Sequence, residues 1–296
     1  SIPVATLRVW ERRYNFPDAG RTSGGHRLYS EQELARLRWV KTRIEAGMQT
    51  SQAIRALLNH ERQERLPQPD PLPVEQPADN ARSLLRARFS QILQEGDLER
   101  ADQLLGEMVA VYPLETLLID VIAPALVDIG EAWRAGRIDI ATEHLVSAFL
   151  RQRLSMWLTT GPVARAGRPL VLACAPNEWH ELGLLMLAVL LRRRRWPVAY
   201  LGQAMPLDDL MQFVRTVHAP LVVLSATTAE SGHILAEQLP HWLPEMQQNG
   251  RPVATYAGRI FTMDAALCAR MPGVFLGAKL HEGVEQIERL LSERPA

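Results

Sequence analysis

The sequence predicts a multidomain chain of α and α/β class: a small basic helical head, a four-helix bundle and a doubly wound parallel sheet. Three observations carry this. A proline-rich stretch isolates the first 65 residues, helical apolar spacing governs residues 81–163, and from residue 164 short apolar runs alternate with amphipathic segments.

The head comes first. "TLRVWERRY" places Leu7, Trp10 and Tyr14 on one helical face, with Arg8, Arg12 and Arg13 elsewhere. "RTSGGHRLYS" then supplies a glycine turn flanked by basic residues. A second helix is expected to start at Ser30, with Glu33 three residues on completing a capping box. Residues 1–65 hold 12 Lys and Arg against 7 Asp and Glu, whereas the whole chain is neutral. A basic head on an acidic body suits an anionic partner for the head alone. A basic helix followed by a basic, glycine-containing loop suits phosphate contact plus groove entry.

Residues 66–80, "LPQPDPLPVEQPADN", carry five prolines. Proline removes a donor and fixes φ, so this segment reads as an extended, semi-rigid linker. In the bundle, "ARSLLRARFSQILQE" sets Leu84, Leu85, Phe89, Ile92 and Leu93 at helical spacing, and "GD" stops it. "PLETLLIDVIAPALVDIGEAW" and "IATEHLVSAFLRQRLSMWL" continue the pattern, and short turns favour an antiparallel arrangement. The sheet strands are expected in "PLVLACA", "PVAYLG", "PLVVLSA", "PVATYAG" and "GVFLG". Near-continuous apolar strands separated by helices signal a parallel sheet covered on both faces, here flavodoxin-like over residues 164–296. In such sheets a ligand sits beyond the carboxyl ends of the strands.

Composition excludes several classes. An apolar share of 47% and a charged share of 22% are globular values. No apolar run reaches the roughly 18 residues of a membrane span, and the N-terminal residues lack a secretory pattern. Cys174 and Cys268 lie far apart in apolar surroundings, so reduced thiols in a cytoplasmic protein are expected. The "RRRR" run at 192–195 ends a helix, where cations favour the helix dipole; a solvated end or a contact between copies is expected.

Two clusters point to chemistry. The loop "PNEWHELG" leaves the first strand at its carboxyl end and holds Glu178, His180 and Gly183 as E-x-H-x-x-G. Imidazole suits cobalt, a carboxylate two residues away can hold its other ring nitrogen, and glycine permits close approach of a planar ligand. "WRAGRIDIATEH" places Trp133, Glu143 and His144 around one turn at one end of the bundle. Singly, these are a core aromatic, a charge at a helix N-terminus and a surface imidazole.

The first sixty residues closely resemble the winged helix-turn-helix of the MerR family of transcription regulators, through "TLRVWERRY", "RTSGGHRLYS" and "IEAGM" in order. The resemblance implies a recognition helix over residues 4–14 and a wing from Arg21 to Tyr29. Contacts to double-stranded operator DNA are implied from Arg8, Arg12, Arg13, Arg21, His26, Arg27 and Tyr29. The chain starts within the family pattern, whose first helix and tight turn would lie ahead of Ser1. The long dimerising helix of many MerR proteins finds no counterpart, since helical spacing stops at Pro67.

E-x-H-x-x-G resembles the D-x-H-x-x-G signature of cobalamin-binding domains. Ser225 and Thr227 in "LSATTA", and Gly258 in "YAGR", stand where that family's tail-holding elements lie, with Ala257 in place of the usual first glycine. Together with Trp133, Glu143 and His144, the order of modules resembles CarH-type cobalamin photoreceptors across essentially the whole chain. That resemblance implies adenosylcobalamin as cofactor, His180 as lower cobalt ligand and Glu178 as its partner. The three bundle residues would lie over the upper face. It implies a light-released dimer or tetramer rather than an enzyme. Arg134 stands where photoreceptor members carry a second histidine, so His144, water or a different light state would take that role. A regulator using another ligand or pigment, or none, and a corrinoid carrier in methyl transfer are the alternative readings.

Overall fold

The computed structural model describes residues 2–21, 27–45, 48–64, 77–248 and 253–293. Two compact units result. One comprises residues 1–82 with 99–117, the other residues 83–98 with 118–296. The segment expected as one bundle, residues 81–163, is thus divided between them.

In the first unit, α1 (Val4–Tyr14) is followed by a two-stranded antiparallel wing, β1 (Gly20–Arg21) and β2 (Arg27–Leu28), then by α2 (Glu31–Glu45) and α3 (Thr50–Glu64). Trp10, Phe16, Leu37, Val40, Ile54 and Leu57 form its core, so the α1 face expected to be apolar is the buried one. Ser30 caps α2 by accepting from the Glu33 amide at 3.2 Å. Glu33 does not complete the expected capping box. Its buried carboxylate accepts from the Asp18 amide at 3.1 Å and pairs with Arg36. A guanidinium offers a buried carboxylate a stronger, charge-assisted bond than the Ser30 amide would. This unit also contains α5 (Leu98–Val111) and α6 (Leu114–Leu117); α5 buries Ala101, Leu104, Leu105 and Met108 at helical spacing.

α4 (Pro77–Gln94) starts four residues inside the stretch expected as linker, with Pro77 at its first helical position, where the missing N–H has no partner to lose. It buries Phe89, Ile92 and Leu93 and stops at Gly96, whose φ of 71° allows the Gly96 and Asp97 amides to return to Leu93 and Ile92. The helix expected over "PLETLLIDVIAPALVDIGEAW" forms as α6, a π-helical turn (Leu118–Ile122) and α7 (Ala123–Arg134). The widened turn ends where Pro124, unable to donate, enters the first turn of α7. α8 (Ile140–Thr159) follows a five-residue turn and is capped by Asp139, whose Oδ1 accepts from the Thr142 amide at 2.7 Å.

The sheet domain runs β3 (Leu170–Cys174), α9 (Leu182–Arg193), β4 (Val198–Gly202), α10 (Leu207–Thr216), β5 (Leu221–Ser225), α11 (Ala229–Gln248), β6 (Val253–Ala257), α12 (Arg259–Met263), α13 (Ala265–Arg270), β7 (Val274–Phe275) and α14 (Leu280–Ser292). All five strands are parallel in the order β4-β3-β5-β6-β7. β3 and β5 are buried along their whole length, as continuous apolar runs require. The chain leaves β3 toward β4 on one side and returns to β5 on the other, so the switch point lies between the ends of β3 and β5. α9 is apolar nearly all round because it packs between α8 and the sheet.

Cys174 is buried and Cys268 half-buried, both free; burial pushes the Cys174 thiol up to about 12. In the arginine run, Arg194 pairs with Glu288 at 2.6 Å. Among the described residues no helix is long and apolar enough to cross a membrane.

Candidate cofactor site

The loop after β3 delivers Glu178 into the switch point, where it is fully buried. Its Oε1 accepts from the His180 amide at 2.8 Å and contacts His180 Nδ1 at 2.7 Å. Its Oε2 accepts from the Thr227 amide at 2.5 Å, the Thr228 amide at 3.1 Å and Ser231 Oγ at 2.6 Å. Burial pushes this carboxyl upward, but the bonds from His180, Ser231 and the Thr227 amide outweigh it and hold the pKa at about 2. Glu178 is therefore an anion with every lone pair committed. His180 in turn is raised above the ordinary histidine value, chiefly by its bond to Glu178. With Nδ1 held, Nε2 is the ring nitrogen available to a ligand, and 64% of the imidazole side chain is exposed.

His180 lines a cavity of about 740 Å³. One wall comes from α7 and α8 through Val127, Arg134, Glu143 and His144; the other comes from the His loop, the start of α9 and the ends of β5 and β6. Ser225, Thr227 and Gly258 also line it. Ser225 also binds the Ala175 amide through its carbonyl at 2.8 Å, and Thr227 engages Glu178 through its amide. Gly258 is fixed by the fold itself: at φ 122° a Cβ would sit 2.0 Å from the Ala226 carbonyl oxygen. Gly183 is the opposite case. Its φ is unexceptional, a Cβ would meet nothing within 4 Å, and it lines the cavity. Neither backbone nor packing demands glycine there; what it preserves is open space.

Glu143 Oε2 contacts His144 Nδ1 at 2.7 Å, and Glu143 Oε1 accepts from Ser147 Oγ at 2.7 Å. Of the two residues ending α7, Arg134 lines the cavity, whereas Trp133, 44% exposed, is not among its lining residues. Sequence reasoning missed three participants. Thr228 and Ser231 drew no functional reading, although Ser231 is fully buried against Glu178. Glu181 read as loop, yet it is buried and joins Arg151 of α8 to the Tyr200 hydroxyl of β4 (2.6 Å). That ties the residue after His180 to the helical wall.

Among the described residues no three His, Cys, Asp or Glu side chains are grouped to hold a metal. A metal at His180 would therefore have to arrive with most of its ligands in place, as it does in a corrin. The single poised imidazole, the open flank at Gly183 and the roomy cavity fit such a group.

The head carries its own candidate surface. Arg8, Arg12 and Arg13 are exposed on α1, and Arg13 lies over the Tyr14 ring. Arg27 donates to Glu11 at 2.8 Å, fastening β2 to α1. Arg21 pairs with Arg27 through the strand backbone, and Tyr29 packs half-buried on the head core. His26 lies outside the described residues.

Residues 1–61 match the MerR HTH family of regulatory proteins, and residues 85–157 and 168–282 each match a B12 binding domain. The HTH-type transcriptional repressor CarH of Myxococcus xanthus is 32% identical over 98% of this chain and 94% of its own. CarA of the same organism is 33% identical over 80% and 77%. The monomethylamine corrinoid protein of Methanosarcina barkeri shares the fold at a TM-score of 0.58, with 12% identity over 70% of this chain and 99% of its own. A DNA-binding helix-turn-helix head, a helical cap and a doubly wound cobalamin domain define a MerR-type transcriptional regulator, not an enzyme. The chain belongs to the CarH/CarA family of such regulators.

The contrast between the two glycines gives a direct check. Gly183→Ala is expected to leave the cofactor-free protein as stable as wild type or up to about 1 kcal/mol more so, since alanine favours a helix. Gly183→Leu is expected to abolish cobalamin retention without unfolding the chain. Thermal unfolding and equilibrium dialysis read the two effects separately; a Leu variant that binds normally would show the space at Gly183 to be idle.

Proposed function

We propose that this protein is a light-released repressor that takes adenosylcobalamin. His180 would hold the cobalt, with Glu178 fixing its ring and proton, and Glu143 and His144 would face the bound cofactor from the bundle side, with Trp133 flanking them. The observation that carries the reading is the buried Glu178 anion. It is held by five donors, and through two of them it fixes His180 where the imidazole lines the cavity. When bound, the cofactor supplies a cobalt–carbon bond that green light breaks.

The chain's own residues translate that event. Arg151 and Glu181 tie α8 to the His loop, so a change in the filled cavity would bear on the bundle wall. Arg134, a permanently charged guanidinium, cannot ligate cobalt, which leaves His144 as the bundle-side imidazole lining the cavity. Self-association of the cofactor-loaded chain to a dimer or tetramer would join several weak basic heads, each using Arg8, Arg12, Arg13, Arg21, His26, Arg27 and Tyr29. Operator binding would then be tight only in the assembly.

The test is an absorbance spectrum with adenosylcobalamin in darkness and after green light, with size-exclusion chromatography on each sample. An alkylcobalamin spectrum that changes on illumination, together with a fall in assembly size, is the expected result. No retained cobalamin, or photolysis with no change in size, would overturn the proposal.

A further inference from the structure

We propose that Trp179 is a cofactor-contact residue whose indole packs against the corrin beside His180; this rests on the cobalamin reading above. Trp179 lines the same cavity as His180 and is 65% exposed. Its backbone is not free to withdraw the ring. The Trp179 carbonyl accepts from Gln203 Nε2 at 2.8 Å and from the Glu181 amide at 3.1 Å. On the preceding side the Glu178 carbonyl accepts from the Ala204 amide at 2.9 Å, and its side chain is the anchored anion already described.

A large aromatic left exposed on a backbone held in this way is unusual in a loop where Glu178 before it and Glu181 two residues on are buried. A flat, largely apolar ring ligated at His180 reaches the residues on either side of it in the cavity wall. Gly183 offers it space and Trp179 offers it an apolar face, so the indole gains burial only when the site is filled.

The experiment uses the full chain purified free of cofactor and titrated in darkness with hydroxocobalamin and with adenosylcobalamin. Equilibrium dialysis is expected to show Trp179→Ala binding about 30-fold more weakly and Trp179→Phe within about 5-fold of wild type. The cofactor-free unfolding temperature should be unchanged for both. Hydroxyl-radical footprinting of wild type should show Trp179 oxidised in the free protein and protected at saturating hydroxocobalamin. Wild-type affinity in Trp179→Ala, or continued oxidation at saturation, overturns the assignment. So does a changed assembly size of cofactor-free Trp179→Ala at unaltered affinity, which would place the indole between copies of the chain. Failure of wild type to bind either cobalamin is read before any variant, and it overturns the cobalamin reading itself.

Discussion

His180→Ala is expected to weaken adenosylcobalamin binding by at least about 100-fold, the upper end of what even a ligand's supporting partner is worth. The cofactor-free protein should lose only about 1 kcal/mol, because the substitution removes one hydrogen bond from Glu178 and an imidazole that is largely exposed. Dialysis in darkness and thermal unfolding separate these. A pH series adds a second check with a definite sign. Ligation needs Nε2 deprotonated, and the Glu178 bond raises the pKa of His180, so affinity should fall as pH drops through a midpoint above 6.5. The His180–Glu178 pair contributes to cofactor-free stability in the opposite sense, fully below 6.5 and less as pH rises past that raised value. Wild-type affinity in the alanine variant would remove His180 from the metal.

Glu178→Gln is the second large effect, and unlike the first it strikes both folding and binding. The carboxylate accepts five bonds and donates none. An amide in its place turns an NH₂ group either toward the His180 amide and ring or toward the Thr227 and Thr228 amides and Ser231 Oγ, so buried donors lose their acceptor whichever way it is placed. At roughly 1–3 kcal/mol for each buried group left unsatisfied, a loss of about 3 kcal/mol is expected. For a domain of this size that is a fall of about 5–10 °C in unfolding temperature. Cobalamin affinity should drop about 10- to 100-fold, as when a metal-bound histidine loses its carboxylate partner. The pH dependence follows from the depressed pKa. With the folded value at about 2 against 4.5 ordinarily, the stabilising contribution is present above pH 4.5 and is lost as pH falls toward 2. Glu178→Gln should flatten stability across that window. Unfolding midpoints between pH 2 and 5 that match wild type would show the carboxylate idle.

Much of this site was legible one residue at a time. E-x-H-x-x-G at the end of an apolar strand places an imidazole, a carboxylate and a glycine at a sheet's carboxyl edge, and His180, Glu178 and Gly183 stand there. Glu143 and His144 likewise reach the cavity from the first turn of α8. Trp133 shows the limit. Consecutive helical residues point about 100° apart, so spacing that brings the end of α7 to the cavity cannot say whether Trp133 or Arg134 faces it. The rotation of α7 on its neighbours decides that, in favour of Arg134. Ala257 at the end of β6 also lines the cavity, beside a Gly258 required by the Ala226 carbonyl.

By itself the sequence determined the elements and their class. Continuous apolar runs, period-3.6 apolar spacing, proline and glycine act within a few residues, so five strands, the cap helices and the loop carrying His180 follow from local patterning. Only the tertiary structure decided what surrounds Glu178. Ser231 is 53 residues away and reaches it because β5 pairs with β3 after the chain has gone out to β4 and back. The Arg151–Glu181–Tyr200 link is of the same kind, joining a bundle helix to a sheet strand. Strand order and helix rotation are set by burial summed over the whole core, and no window of sequence contains that sum.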